Sequence, residues 1–470
     1  MSSRASAAGI SSALLLAACA AVPGAQLADM KPPTAYRADQ TFTAPASNWP
    51  GDGWWRGYGD QQLDTLINEA LATAPNVAEA KARLDKADAL VGQSRANLFP
   101  TLQGQAQADM TKQSYNTGIP PAFVPHGWKS FGQTTLNFSW ELDFWGKNRK
   151  ALAASISDAK ATGADLAEAR LVLSTSIASA YADFSRLWAE RDVADRAVKS
   201  REETLDLVRR RVANGLDTHG ELAEAEAGPA NARADLAAID EDIALARDRI
   251  AALMGDGPDR GLAIQRPAEP TVKAFGLPPK LLADLIGRRP DLSAARWRAE
   301  AAASRIGVAK AQFYPDVNLS AVIGFESLGI SNLFLSGSSE GQAGPAVTLP
   351  IFEGGRLRAN LKGARADYET AVASYDETLT QALQDVADAA TSERALGPRL
   401  QESSSALAAD EDAYRIARLR YEGGLANYQS VLLAENAVLT DRRTVVDLKA
   451  RAFTLDIQLI RALGGGYQMN

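Results

Sequence analysis

Residues Lys150 to Gly215 read KALAASISDAKATGADLAEARLVLSTSIASAYADFSRLWAERDVADRAVKSREETLDLVRRRVANG, a run without a proline. Its apolar or small residues Leu152, Ile156, Ala159, Gly163, Leu166, Ala169, Leu173 and Ile177 recur by fours and threes. That spacing is the seam of a helix packed lengthwise on other helices. A rise of about 1.5 Å per residue makes this stretch a rod on the order of 100 Å long, several times an ordinary globular helix.

The same pattern occurs again from Arg356 to Gly424, as Leu357, Leu361, Ala364, Tyr368, Ala371, Tyr375 and Leu379. Three further matches fix the repeat: Pro75 with Pro290, Arg95 to Pro100 with Lys310 to Pro315, and Arg211 to Leu216 with Arg420 to Leu425, at offsets of 215, 215 and 209 residues. Internal repeats decide how a chain is read, and this one is two copies of one unit. The first copy spans 60–255 with a long helix over 147–215, and the second spans 279–464 with a long helix over 355–423. A linker, 256–278, joins them, and a tail, 465–470, follows.

Between its shorter helices and its rod, each copy carries two runs of period two. Thr101, Gln103, Gln105, Gln107 and Asp109 alternate with Leu102, Gly104, Ala106, Ala108 and Met110. Asn137, Ser139, Glu141 and Asp143 alternate with Leu136, Phe138, Trp140, Leu142 and Phe144. In the second copy Val317, Leu319, Ala321, Ile323 and Phe325 alternate with Asn318, Ser320 and Glu326, and Ala343, Val347, Leu349 and Ile351 with Gln342 and Thr348. Strands are expected over about 101–110, 135–144, 316–326 and 342–352. Their length and two-faced character suit a transmembrane β-barrel, with lipid on one side and water on the other. Four strands cannot close a barrel, and open edges in lipid leave backbone groups unpaired at several kcal/mol each. Closure therefore requires further copies of the chain.

Composition narrows the chemistry. The 470 residues carry a net charge of −7 with only two histidines and one cysteine. A nucleic-acid surface is not suggested, and metal sites or nucleophile–base pairs find almost no material. His126 and His219 stand apart from any second ligand, so no metal, no cofactor and no enzymatic activity are expected. Gly464-Gly465-Gly466 closes a helix without opening another, which is not a phosphate cradle.

Arg4, a short apolar run and Leu16-Ala17-Ala18-Cys19 have the form of a secretory signal over 1–18. The tetrapeptide resembles a bacterial lipobox, making Cys19 the lipidated first residue of an arm over 19–59, with Trp49, Trp54 and Trp55 as its anchors.

The order helix, helix, strand, strand, long helix, helix, given twice, resembles the outer membrane factors, TolC-like channels of Gram-negative efflux and secretion machines. Trp54-Trp55, Leu142-Asp143-Phe144-Trp145-Gly146, Leu349-Pro350-Ile351-Phe352 and Arg420-Tyr421-x-x-Gly424-x-x-x-Tyr428 are similar to its NodT-type lipoprotein branch. The resemblance implies an α+β membrane protein: a homotrimer whose four strands per chain complete a twelve-stranded outer-membrane barrel, continued by a periplasmic barrel of long helices. It further implies a passive duct for small molecules, a periplasmic adaptor and an RND-type inner-membrane transporter as partners, outer-membrane lipid around the strands, and a lipid anchor in the outer membrane. An outlet for type I protein secretion is the alternative within the class. A lipid-anchored periplasmic coiled-coil scaffold is the alternative outside it.

Gly146 and Gly354-Gly355 are expected at the strand-to-helix joints, where sharp turns need glycine. Asn214-Gly215 and Gly423-Gly424 end the long helices, with Thr218, Glu221 and Asn427 opening the helices that return. In the family these turns form a periplasmic gate, and the candidates for it here are Asp217 and Glu221 on the first turn and Arg420, Tyr421 and Gln429 on the second, the alternative being that they only cap helices and face solvent. Relatives commonly carry an acidic residue where this chain has Leu433, so an acidic constriction there is in doubt or shifted to Asp217 and Glu221. Pro229 and Pro398 are expected to kink or interrupt their helices.

Overall fold

Both hydrophobic periods resolve into regular elements. The computed structural model describes residues 27–469 except 39, 117, 269 and 273, so the signal segment and Cys19 lie outside the described residues. In chain order the helices and strands are α1 (Gln61–Thr73), α2 (Pro75–Ala96), β1 (Thr101–Thr111), β2 (Lys129–Glu141), α3 (Lys147–Ala213), α4 (His219–Met254), α5 (Pro258–Leu262), α6 (Leu281–Arg288), α7 (Pro290–Ala311), β3 (Asp316–Leu328), β4 (Ser339–Thr348), α8 (Arg356–Glu422) and α9 (Tyr428–Ala462). The two rods, α3 and α8, each have 67 residues, as a duplicated unit requires. Helices α4 and α8 continue through Pro229 and Pro398 without interruption.

The strands form one antiparallel sheet in the order β1-β2-β3-β4, so β1 and β4 are its edges within one chain. Register keeps the two faces apart. Gln103, Gln105 and Gln107 lie opposite Asn137, Thr135 and Gln133, and Ser139 lies opposite Ser320. On the other face Leu102 meets Phe138, Leu136 meets Ile323, Trp140 meets Leu319 and Val317 meets Val347. Leu102, Leu136, Ile323 and Val347 are all exposed there, an apolar surface that water alone does not favour. The polar face is tied across strands, with Gln133 Nε2 donating to Glu340 Oε1 at 3.1 Å and Ser139 Oγ to Asn318 Oδ1 at 3.2 Å.

Two strands depart from the expected bounds. β2 occupies 129–141 rather than 135–144, because Lys129 to Thr134, which lack strict alternation, pair fully with Thr111 to Ala106. Its far end stops at Glu141 ahead of a turn at Phe144-Trp145, and the Asp143 carboxylate accepts from Asn148 N at 3.1 Å and Arg149 N at 2.9 Å instead of continuing the strand. β4 occupies 339–348 rather than 342–352, ending at Thr348 opposite Asp316, where its partner strand β3 begins.

The chain divides into two compact units, each drawing on both sequence repeats. One comprises the sheet with Leu84–Thr162 and Ala295–Tyr375, together with residues 27–30. Within it Ile306, Ala309 and Leu361 are buried together, and Lys160 lies 4.1 Å from the Trp297 ring centre. The other comprises Lys31–Arg83, Gly163–Ala294 and residues 376–469. Its main core joins Leu63, Leu66 and Ile67 of α1 to Ile177, Tyr181 and Phe184 of α3. Each such side chain contributes about 1.5–3 kcal/mol when buried. Asp60 caps α1, accepting from Gln62 N at 2.8 Å and Leu63 N at 3.2 Å, and also accepts the Tyr181 hydroxyl at 2.6 Å.

Candidate functional site

The two helical turns 214–218 and 423–427 share one backbone solution. Gly215 and Gly424 take the left-handed conformation at φ 69° and 73°. Behind them Leu216 N donates to Arg211 O at 2.9 Å and Leu425 N to Arg420 O at 2.7 Å, closing both rods in the same way. Thr218 and Glu221 form a reciprocal capping box at the start of α4. Asn427 caps α9, accepting from Ser430 N at 3.1 Å. The turns pack together through Val208, Ala225, Tyr421, Tyr428 and Val431.

Across this apolar contact lies a buried polar triad. The Tyr421 hydroxyl donates to Asp217 Oδ2, which also accepts from Arg211 Nε at 3.1 Å. Arg211 Nη1 donates to Tyr421 O at 2.7 Å, and its guanidinium carbon sits 4.4 Å from the Tyr421 ring centre. Tyr421 is 0% exposed. Burial, with the Asp217 carboxylate beside it, pushes the phenol above its usual range, so it remains a donor throughout ordinary pH. The triad links the turn of the first repeat to that of the second.

Asp217 and Tyr421 are thus brought together. Glu221 is engaged in its capping box, its Oε2 accepting from Thr218 N at 2.8 Å. Arg420 and Gln429 are exposed, and the Arg420 guanidinium has no ion pair among the described residues. Leu433 is 61% exposed, as are Leu216 at 63% and Leu425 at 73%.

Sequence reasoning did not single out Arg211, although it stands at the place of Arg420 in the repeat and six residues before Asp217. Nor did it find a second polar cluster, 10 residues earlier on α3. There Glu435, 2% exposed, accepts from Ser200 Oγ at 2.7 Å, and Ser200 Oγ lies 3.1 Å from Tyr414 Oη. Arg201 Nη2 donates to Asn436 Oδ1 at 2.5 Å. The available signal was a carboxylate set into the buried stripe Tyr428, Val431, Val438 of α9.

At the strand-to-helix joints Gly146, Gly354 and Gly355 have φ of 76°, 57° and 92°, conformations that favour glycine. Phe144, Trp145, Ile351 and Phe352 around these joints are exposed. Among the described residues no group of three acidic, histidine or cysteine side chains could hold a metal, and no helix is long and apolar enough to cross a membrane.

Comparison with known proteins accounts for this architecture. The family model described as outer membrane efflux protein matches residues 66–256 and 281–465. The multidrug resistance outer membrane protein MdtQ of Escherichia coli is 32% identical over 466 residues, covering 97% of this chain and 96% of that protein. The fusaric acid resistance protein FusA of Burkholderia cepacia is 37% identical over 365 residues, covering 75% of this chain and 68% of that protein. Among solved structures, the outer membrane protein VceC of Vibrio cholerae aligns with a TM-score of 0.85 at 45% identity, over 89% of this chain and all of that one. The outer-membrane channel OprN aligns with a TM-score of 0.85 at 26% identity, over 95% of this chain and 99% of that one. The sheet with one apolar and one polar face, the duplicated rods and these likenesses have one meaning: this chain belongs to the outer membrane efflux protein family, whose members are channels and not enzymes.

Proposed function

We propose that three copies of this chain form the outer-membrane exit duct of a tripartite efflux pump. The observation that carries this reading is the sheet: it exposes an apolar face and ends in two strands, β1 and β4, that have no outer neighbour among the described residues of one chain. In lipid every backbone donor and acceptor needs a partner. Pairing β4 of one copy with β1 of the next satisfies both edges, and three copies give twelve strands, an even number within the range of such barrels. The exposed aromatic residues at the joints suit the rim of the bilayer.

In this reading residues 1–18 are removed and Cys19 carries the lipid that anchors the arm. The helical turns form the periplasmic tip, where Leu216 and Leu425 offer apolar knobs to an adaptor protein. Asp217, Tyr421 and Arg211 hold the tip shut from within a protomer, while Arg420 and Gln429 face neighbouring protomers. Substrate arrives from an RND-type inner-membrane transporter through the adaptor and passes without energy coupling in this chain. The names of the relatives, multidrug and fusaric acid resistance, favour small toxic organic molecules over polypeptides as cargo.

Light scattering of the detergent-purified mature protein, corrected for bound detergent, tests the assembly. Three chain masses are expected. A stably folded monomer overturns the duct and favours an anchored scaffold. Loss of the gene and any redundant relative should then sensitise cells to hydrophobic drugs or dyes, and an unchanged response across a broad panel would reject the efflux role.

A further inference from the structure

We propose that ionised Glu435 is a positioning residue of the gate, the electrostatic anchor of a second clasp that holds α9 on α3, and that its protonation loosens the tip. This rests on the reading of the turns as a gate. The carboxylate is divided in its bonding. Its Oε1 is fixed by the Ser200 hydroxyl at 2.7 Å. Its Oε2 is buried without a hydrogen-bond partner, although Arg201 Nε lies 3.3 Å away. The hold on Arg201 is therefore Coulombic. Both side chains are shielded from water, Arg201 at 11% and Glu435 at 3% exposure, so the attraction is little screened. A proton on Oε2 removes that attraction and finds an oxygen with no bond to give up.

The surroundings give the clasp its leverage. Arg201 reaches Asn436 on α9, Ser200 lies against Tyr414 on α8, and Gly228 of α4 leaves the room that the Arg201 stem occupies, since a Cβ there would stand 3.2 Å from Arg201 Cδ. Four helices thus meet at one ion pair. The charged and titratable groups around it are Arg201 on α3, Tyr414 and Arg418 on α8, Glu224 on α4 and Tyr428 on α9, with Arg418 itself paired to Glu203 and Glu422. Burial raises the Glu435 carboxyl above its ordinary range, against the opposing pull of Arg201, Ser200 and Arg418. Its protonation accordingly comes at higher pH than that of an ordinary glutamate. Tyr421 and Asp217 lie nearer the turns, so the clasp sets how far the helices part once the triad opens.

The test uses the full mature protein in planar bilayers, comparing the parent, Tyr421→Phe, and Tyr421→Phe carrying either Glu435→Gln or Ser200→Ala. Releasing the triad alone is expected to raise single-channel conductance at pH 7 and to leave a further rise, of about twofold, between pH 7 and pH 5. With Glu435→Gln the pH 7 value should already equal the acid value and the profile should be flat. Ser200→Ala, which frees the carboxylate, should raise the pH 7 value while keeping a pH dependence. An unaltered acid rise in the Glu435→Gln protein overturns the proposal while leaving the triad as the gate. A flat conductance on Tyr421→Phe, with Glu435→Gln still acting, overturns the triad and retains the clasp. Melting of each trimer at pH 7 accompanies the recordings, and a loss of folded trimer in Glu435→Gln also overturns the proposal, since the clasp would then be a folding determinant.

Discussion

Replacing Tyr421 by Phe removes a single hydroxyl from the triad and leaves its ring against Arg211 and Tyr428. The bond lost is charge-assisted and buried, with Asp217 at 6% side-chain exposure, so its removal costs the closed state about 1.5–3 kcal/mol. If the triad locks the gate, then at about 1.4 kcal/mol per decade each protomer's balance should move roughly ten- to a hundredfold toward the open form. Asp217→Ala is more severe, because it leaves Arg211 buried at 11% exposure with its carboxylate gone, a loss of about 3–5 kcal/mol. Single-channel recording in planar bilayers at neutral pH reads both effects as open probability and conductance, with the order parent, Tyr421→Phe, Asp217→Ala. Folded trimers of Tyr421→Phe that conduct like the parent would refute the triad as a lock and return it to a local stabiliser of the turns.

Other perturbations probe the scaffold. Gly464→Ala places a Cβ 1.9 Å from Arg288 O at a backbone φ of 87°, and should destabilise by about 3 kcal/mol or more, whereas Gly287→Ala meets nothing within 4 Å and should change melting little. Ile323→Arg on the exposed apolar face of β3 should cost about 2–4 kcal/mol in a bilayer and reduce the yield of heat-resistant trimer, while Gln105→Arg on the polar face should be tolerated. Glu168, beside Arg289, Asp291 and Arg461, has its carboxyl pushed up to about 7 by burial and then by Asp291. The protonated form suits the fold, so stability from this group is full below its unfolded pKa and is lost as pH rises from about 4.5 through about 7, a trend that Glu168→Gln should remove from the pH dependence of melting.

Much of the architecture was legible because its periods are long and clean. The seam of α3 and its copy in α8 announced themselves through spacing alone, and the glycines at 215 and 424 marked where both rods end. Strand bounds were less legible. Lys129 to Thr134 carry no alternation of their own and become strand because β1 and β3 are there to pair with, a tertiary effect invisible to local pattern. The polar clusters were harder still. Tyr421 and Asp217 lie 204 residues apart, and only the packing of one repeat's turn on the other makes them neighbours. Glu435 looked like one more charged residue on a long helix until burial showed which face it occupies.

Duplication also explains which arginine is left over. The backbones of the two turns match, and Arg211 and Arg420 stand at equivalent places, but six residues on the first repeat has Asp217 and the second has Ala426. Arg211 therefore finds a carboxylate in its own turn, and the tyrosine that completes the triad comes from the other repeat. Arg420 has no such carboxylate, and it remains exposed. Its availability to a neighbouring protomer follows from that one absent side chain. Ala426→Asp restores the first repeat's spacing on the same backbone and should capture Arg420 within its turn. The pair, partly exposed, contributes about 0.2–1 kcal/mol, enough to compete with an equally exposed contact between protomers. If Arg420 bridges protomers, Ala426→Asp should raise conductance in the same direction as Arg420→Ala, without a change in melting temperature. Conductance raised by Arg420→Ala but untouched by Ala426→Asp would mean that the arginine acts through its bulk in the pore, and the argument from the missing carboxylate would fail.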